Sequence, residues 1–454
     1  MRRWLSVVVL GGFVSVGCAT TRAGHGSTPD CPVPCPAEPQ LEDPAGSFAR
    51  AVEAGALDEE TCQRHARAFD QRFARSGKPD DRFNAAVVWD TCGQPTQATA
   101  AYRDVVRIDP RHAMAHNNLG VLAFRAGRTK DALRHYTRAV EAVPTAIPPR
   151  HNLAHLHRAR FLETGNTAAF DAAQRQLQAV LAVDSENLAA YEGLARLYYD
   201  RAAAGDRSYA LLAGLVITQA QRSKTVNGTA SAPLWNLRGL LAALDEEPTR
   251  ALRSFQRATE LDPDFVDARL NAALIELELR NFAQAEKDLE AAAKSAEGDR
   301  AREVALALGV AKRGVRDFEG AEKAYARAVQ HDRDDPRALF NMGVLYQDHI
   351  GPAVASDGVR EVEIAKSRFQ AFVDAAGDRP DLREAVAVAQ RRISTIDEYV
   401  EIIDDSEQIE REAARLEALQ REQEREERAR ILELERKAQD ALERSQTPTP
   451  PDAD

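Results

Sequence analysis

Histidine is the first side chain in this sequence whose spacing raises a chemical question. His112 and His116 are four residues apart, as are His151 and His155, with His157 close behind. On a helix, residues i and i+4 share a face, so each pair has the spacing of a two-histidine metal clasp. No carboxylate or cysteine completes either pair at a matching interval. The expectation is solvated histidines on helix faces, with no metal bound. Cys31 and Cys35, in CPVPC, have the spacing of a redox or metal pair. Their segment is rich in proline, offers no helix terminus to lower a thiol pKa and has no histidine close by, so a structural disulfide is the better reading. Phosphate loops, zinc-protease helices, nucleophile elbows and Rossmann glycines do not occur in recognisable form. Acidic residues lie mostly among arginines, as solubilising pairs. No catalytic residue, cofactor or small-molecule substrate follows from these patterns, and the chain reads as a non-enzyme.

The elements that carry these residues are helical. Of 454 residues, 44% are hydrophobic, 29% charged and only 6% aromatic, with an excess of Ala, Leu, Arg and Glu. That composition favours helices packed through small side chains. A net charge of −11 gives the whole chain no electrostatic pull toward nucleic acid.

The N-terminus begins with Arg2 and Arg3, continues with an apolar run from Leu5 to Val16, and reaches Gly17-Cys18. A positive start and a short apolar run make an export signal, too short to span a bilayer. The ending resembles the lipobox of bacterial lipoproteins. That resemblance implies a signal peptide over 1–17 and lipid on Cys18, with Ala19 fitting the sorting context of the outer membrane. Ser15 stands where the lipobox usually has Leu, which keeps cleavage after Ala19 as the alternative. Residues 18–46, rich in Pro, Gly, Thr and Ser, read as a flexible membrane tether. The body is expected to face the periplasm, where disulfides are permitted.

A repeat governs the body. Pro110 and Pro144 are 34 residues apart, as are Ala98 and Ala132, and Tyr102 and Tyr136. The unit returns at Gly239, Ala251, Phe255 and Ala258, then at Ala273, Ala285 and Leu289. Later copies run through Gly309, Ala321 and Tyr325, then through Gly343 and Phe369. Gly120 and Ala132 suit a close crossing of two helices, Tyr136 fills space between one copy and the next, and Pro144 stops the second helix. This pattern resembles the tetratricopeptide repeat, a helix–turn–helix unit. The resemblance implies an all-α, right-handed superhelical solenoid of about eight helical pairs over 47–379. Two copies are irregular, at 151–185 and 188–232, and DHIGPAVASDGVREVE interrupts the last; such insertions fall on solenoid loops. In this geometry Cys62 lies near the start of a second helix and Cys92 near the end of the next first helix. Antiparallel stacking therefore predicts a Cys62–Cys92 disulfide, leaving Cys31 to pair with Cys35.

Carried over to this sequence, the repeat's groove positions fall on Asn117, Val121, His151, His155, Arg158, Asn236 and Leu240. Further along they fall on Leu270, Leu274, Leu277, Leu306, Val310, Phe340 and Val344. The later half is apolar and predicts a groove for an amphipathic helix or an extended apolar peptide, unless the chain's own C-terminal helix covers it. Residues 380–445 form a long charged helix that starts at Asp378 and Pro380. Its Glu-to-Arg pairs at i, i+4 favour a single helix, or a short coiled coil formed with a partner. Residues 446–454 read as a disordered tail.

The layout of lipobox, repeats and charged tail looks like the tetratricopeptide lipoproteins of gliding-motility machinery. It implies a scaffold that binds envelope proteins through its groove and C-terminal helix while its lipid holds the membrane. An adaptor for cell-wall enzymes, or for pilus or secretion pores, is the other reading.

Overall fold

A computed structural model describes residues 44–446 except 224 and 354–358. The expected signal peptide, Cys18, most of the tether, the Cys31–Cys35 pair and the tail beyond 446 lie outside the described residues, as does part of the last insertion. Among the described residues every regular element is helical. No helix there is long and apolar enough to cross a membrane.

Two compact units divide the chain, Met1–Ile275 and Glu276–Asp454. The first contains α1 (Pro44–Glu53), α2 (Glu59–Ser76), α3 (Pro79–Thr91), α4 (Pro95–Ile108), α5 (Ala113–Arg125) and α6 (Thr129–Ala142). It continues with α7 (Ile147–Thr164), α8 (Thr167–Val183), α9 (Leu188–Ala203), α10 (Ser208–Arg222), α11 (Ala232–Leu244) and α12 (Pro248–Leu261). Helix α13 (Val266–Glu278) ends this unit and begins the next. The second unit has α14 (Phe282–Ala292), α15 (Gly298–Gly314), α16 (Phe318–His331), α17 (Pro336–Leu345), α18 (Val359–Ala376) and α19 (Arg383–Gln446). In chain order α1 to α12 form six helical pairs of the first unit, both irregular copies among them, and α15 to α18 form two of the second.

Helix boundaries follow the sequence. Proline occupies the first turn of α3, α4, α7, α11, α12 and α17, where the missing N–H costs no helical bond. Asp58, Asn166, Asn187, Ser231 and Asp335 cap helix starts by accepting backbone N–H bonds. The turn inside a pair needs one residue with positive φ. Gly93 and Gly127 supply it at φ 69° and 72°, whereas Glu246, Arg280 and Arg316 adopt 60°, 60° and 70° without being glycine.

Packing repeats with the sequence. Ala98, Ala132, Ala251, Ala321 and Ala365 have no exposed surface, and Tyr102, Phe255, Tyr325 and Phe369 are enclosed almost as fully. The rings press on glycines of the preceding helix. A Cβ on Gly120 would lie 2.5 Å from Cε1 of Tyr136, and Gly239, Gly309 and Gly343 meet Phe255, Tyr325 and Phe369 in the same way. Tyr136 also clusters with Leu153 and Leu156 of α7, so one ring seals its own hairpin and the joint to the next.

Helix α19 changes character along its length. Pro380–Leu382 is a single 3-10 turn whose cap is Arg379, without a side-chain bond, so Asp378 is not the cap the sequence led us to expect. Ala389, Ile393, Ile396 and Val400 then pack with Phe369 and Phe372 of α18. Beyond Val400, all described residues to Asp440 are exposed except the half-buried Ile403 and Glu407.

Candidate interaction surfaces

The histidines are not solvated. His116 is 2% exposed; its Nε2 bonds to the Pro110 carbonyl at 3.1 Å, and its Nδ1 lies 3.1 Å from Nδ1 of His135 on α6. Burial lowers the pKa of both rings, and at His135 the like charges of His116, Arg134 and Arg138 add to it, so that His135 falls to about 4. His112 turns the other way: its Nδ1 accepts the Ala115 N–H at 3.1 Å and caps α5. His151 bonds Asn187 at 3.2 Å, and His155 stands edge-on to Phe124 at 5.6 Å. Burial also holds His151, His155 and His157 below the usual range. The i, i+4 pairs are thus split between local partners, because the first helix of each pair is enclosed by two neighbours. No cluster of three or more metal-ligating side chains occurs among the described residues.

The groove positions divide by chemistry. Asn117 and Val121 are half-buried, and Asn117 takes part in a ladder: Asn152 donates to it at 2.9 Å, it donates to Asn118 at 3.1 Å, and Asn118 donates to the Tyr102 hydroxyl at 2.9 Å. Asn271 makes the same 35-residue step further along the chain, donating to the buried Asn236 at 3.0 Å. Arg158 is paired with the buried Asp200. Arg196 lies beside them, its pKa lowered by burial and by Arg158 while Asp200 and Asp267 pull it back. Ser231 donates to Glu192 at 2.6 Å; burial raises that carboxyl and the bond counters it. This part of the first unit is a polar, internally bonded surface.

The expected apolar groove is not open. Leu270 is 1% exposed, Leu274 8%, Leu277 6% and Leu306 8%, and Leu240 is 1% exposed as well. These leucines are core side chains: residues 270–277 of α13 are all buried, and Leu240 of α11 and Leu306 of α15 are enclosed as well. Val310, Phe340 and Val344 are half-buried. Phe340 stands edge-on to Phe369 and Phe372 at 5.6 and 5.2 Å, and it shares a cluster with Val344, Ile393 and Val400. The start of the C-terminal helix therefore belongs to the core around this end of the second unit. Arg392 fixes it there through Asp348 at 2.7 Å.

Charge, not apolar area, marks the rest of the second unit. Arg337 forks onto Glu303 at 2.6 and 2.9 Å and also reaches Asp335, while Arg302 bridges Asp332 and Asp335 at 3.1 and 3.3 Å. Burial would lower the Arg337 pKa, but the bonds to Glu303 and Asp335 raise it instead. Sequence reading missed this network, although Glu303 and Arg337 are 34 residues apart, one repeat on. A shallow cleft of about 470 Å³ opens beside it, lined by Ala301, Ala305, Arg327 and His331. In the first unit, Leu211 and Leu215 on α10 are exposed at 70% and 56%.

Cys62 and Cys92 are joined by a disulfide that ties α2 to the end of α3, with Cα atoms 6.2 Å apart.

Family models of the tetratricopeptide repeat match residues 93–147, 123–169, 236–301 and 306–347. The chain is similar to the BBSome complex member BBS4 of Bos taurus, at 27% identity over 241 residues. That stretch is 52% of this chain and 42% of the relative, so the chain spans about two-fifths of the curated protein it matches. Among solved structures it is similar to the human IFIT1 dimer with m7Gppp-AAAA, at 16% identity and TM-score 0.48, covering 78% of this chain and 81% of that one. It is also similar to Pseudomonas aeruginosa pilF, at 15% identity and TM-score 0.40, covering 50% of this chain and 94% of that one.

Proposed function

We propose that this chain, which carries tetratricopeptide repeats over residues 93–169, 236–301 and 306–347, is a lipid-anchored periplasmic scaffold. In this reading it helps to assemble an envelope-spanning machine of the gliding-motility kind. Arrays of these repeats act as protein-interaction scaffolds. The observation that carries the non-catalytic part is the use of the signature residues: Gly120 under Tyr136, Gly239 under Phe255 and Gly309 under Tyr325 are consumed in nesting helices. What they leave for partners is surface: the polar helices of the first unit, the charged network of the second, and the exposed length of α19.

The anchor rests on Arg2, Arg3, the apolar run to Val16 and Gly17-Cys18. Cys18 would carry the lipid and hold the repeats at the outer membrane. Crosslinking of intact envelopes, followed by mass spectrometry, tests the assignment. Crosslinks to components of a trans-envelope motor are expected; capture of a cell-wall synthase or hydrolase instead would turn the scaffold into an enzyme adaptor. Labelled palmitate should enter the chain and be lost with Cys18→Ser, and a label that survives the substitution overturns the anchor.

A further inference from the structure

The exposed part of α19 carries apolar side chains at heptad spacing. Ile402, Ile409 and Leu416 are one heptad apart and exposed at 65%, 68% and 62%. With Ser406, Ala413, Gln420 and Gln423 they keep the alternating three-and-four spacing of a coiled-coil seam. This stripe does not continue the face that packs on α18. The packed face runs Ile393, Ile396, Val400 and Ile403, and the stripe is displaced from it by one residue, about 100° around the helix.

Charge decides what the stripe would accept. Apart from Ile403 and Leu419, the residues flanking it are all acidic: Asp405, Glu410, Glu412, Glu417, Glu424 and Glu426. The arginines of the same stretch, Arg411, Arg415, Arg421, Arg425 and Arg428, fall on the remaining faces. Arg421 reaches back to Glu417 at 3.3 Å, and Glu424 and Glu426 have Arg428 and Arg430 four residues on, whereas Asp405, Glu410 and Glu412 have no arginine or lysine at that spacing. A second copy laid parallel would set Asp405 against Glu410 and Glu412 against Glu417. Laid antiparallel, it would again face acid with acid. Either arrangement brings like charges together along most of the seam, Ile403 and Leu419 being the uncharged flanks. Anionic lipid headgroups are repelled by the same flanks.

We propose that residues 402–426 form one strand of a heterotypic coiled coil, whose partner is a helix with Lys or Arg on both sides of its apolar seam. This deepens the scaffold reading and rests on it, but its test concerns the arm alone, so the envelope crosslinks and the peptide titration fail independently. Gln420 and Gln423 close the seam at its far end and set where the partner strand ends.

The full chain is titrated against two fluorescent synthetic peptides of about four heptads, both with Leu and Ile in the seam. One has Lys at every flanking position and the other Glu. The Lys peptide should bind at least about tenfold more tightly, a difference of about 1.4 kcal/mol, and weaken as salt rises. Ile409→Asp with Leu416→Asp, at exposed positions that leave the acids in place, should abolish binding. Glu410→Lys, Glu412→Lys and Glu417→Lys together should transfer the preference to the Glu peptide. Equal binding of both peptides, binding of neither, or full binding to the aspartate variant each overturns the proposal. So does a dimer of the chain itself, seen by sedimentation and lost with Ile409→Asp.

Discussion

Replacing Gly120 by alanine should weaken the α5–α6 hairpin even though alanine is the better helix former. The new methyl would lie 2.5 and 2.6 Å from two ring carbons of Tyr136, which is 3% exposed and held on its far side by Leu153 and Leu156. Inserting a methyl into such a site costs about 1–3 kcal/mol, and the ring's enclosure places this case near the upper end. Alanine returns about 1 kcal/mol of helix propensity. The net loss is therefore about 2 kcal/mol. Gly214 is the control: it lies inside α10 of the same unit, and a Cβ there meets nothing within 4 Å. Gly214→Ala should gain up to about 1 kcal/mol, the propensity term alone. Repeat arrays open locally, so the assay is amide hydrogen exchange over peptides from each hairpin. Exchange in α5–α6 should accelerate about thirtyfold in Gly120→Ala. In a Tyr136→Leu background the same substitution should cost far less. If Gly120→Ala protects its hairpin as Gly214→Ala does, the packing account of the repeat is wrong.

Arg316→Gly should stabilise the α15–α16 hairpin by up to about 1 kcal/mol, because Arg316 holds φ at 70°, where a side chain is strained; urea midpoints of the two chains decide it. Removing the Cys62–Cys92 bridge with two alanines should cost about 3.6 kcal/mol, since the bridged residues are 30 apart, and thermal melts under oxidising conditions measure it. The depressed pKa of His135, about 4, means that folding releases its proton. Stability of α5–α6 should fall as pH drops from about 6.5 through 4, and His135→Gln should flatten that slope in exchange measurements. Glu276 acts in the opposite sense: burial first, then Asp288, raises it to about 7. Its contribution is full below the ordinary carboxylate range and is lost as pH rises through 7, so Glu276→Gln should raise the melting temperature at pH 8 and leave it unchanged at pH 4.

The hairpins were legible in the sequence because their spacing is enforced by contact. A ring pressed on a glycine tolerates neither a larger residue nor a shift of register, so Gly120 and Tyr136 must recur together. The Cys62–Cys92 bridge could be placed from the same geometry. Surface positions carry no such constraint, and there the reading went astray. Leu270, Leu274 and Leu277 fall on groove positions of the repeat, yet residues 270–277 are buried without a break, polar Asn271 and Glu276 included. The histidines misled for a related reason: i, i+4 spacing places two side chains on one face, but says nothing of the neighbouring helix that His135 brings to His116. The charged network around Glu303 and Arg337 needs two helices one repeat apart, a distance at which single-helix rules are silent.

The 64 residues of α19 have a mechanical consequence. At 1.5 Å per residue the helix is about 95 Å long, and only its first five turns or so are embedded in protein. A spar clamped at one end turns sideways force at its tip into torque at its root. Whatever pulls on the far turns will load Ala389 and Ile396 against Phe369 and Phe372. Tension would then be felt as leverage inside the second unit before any hairpin opens.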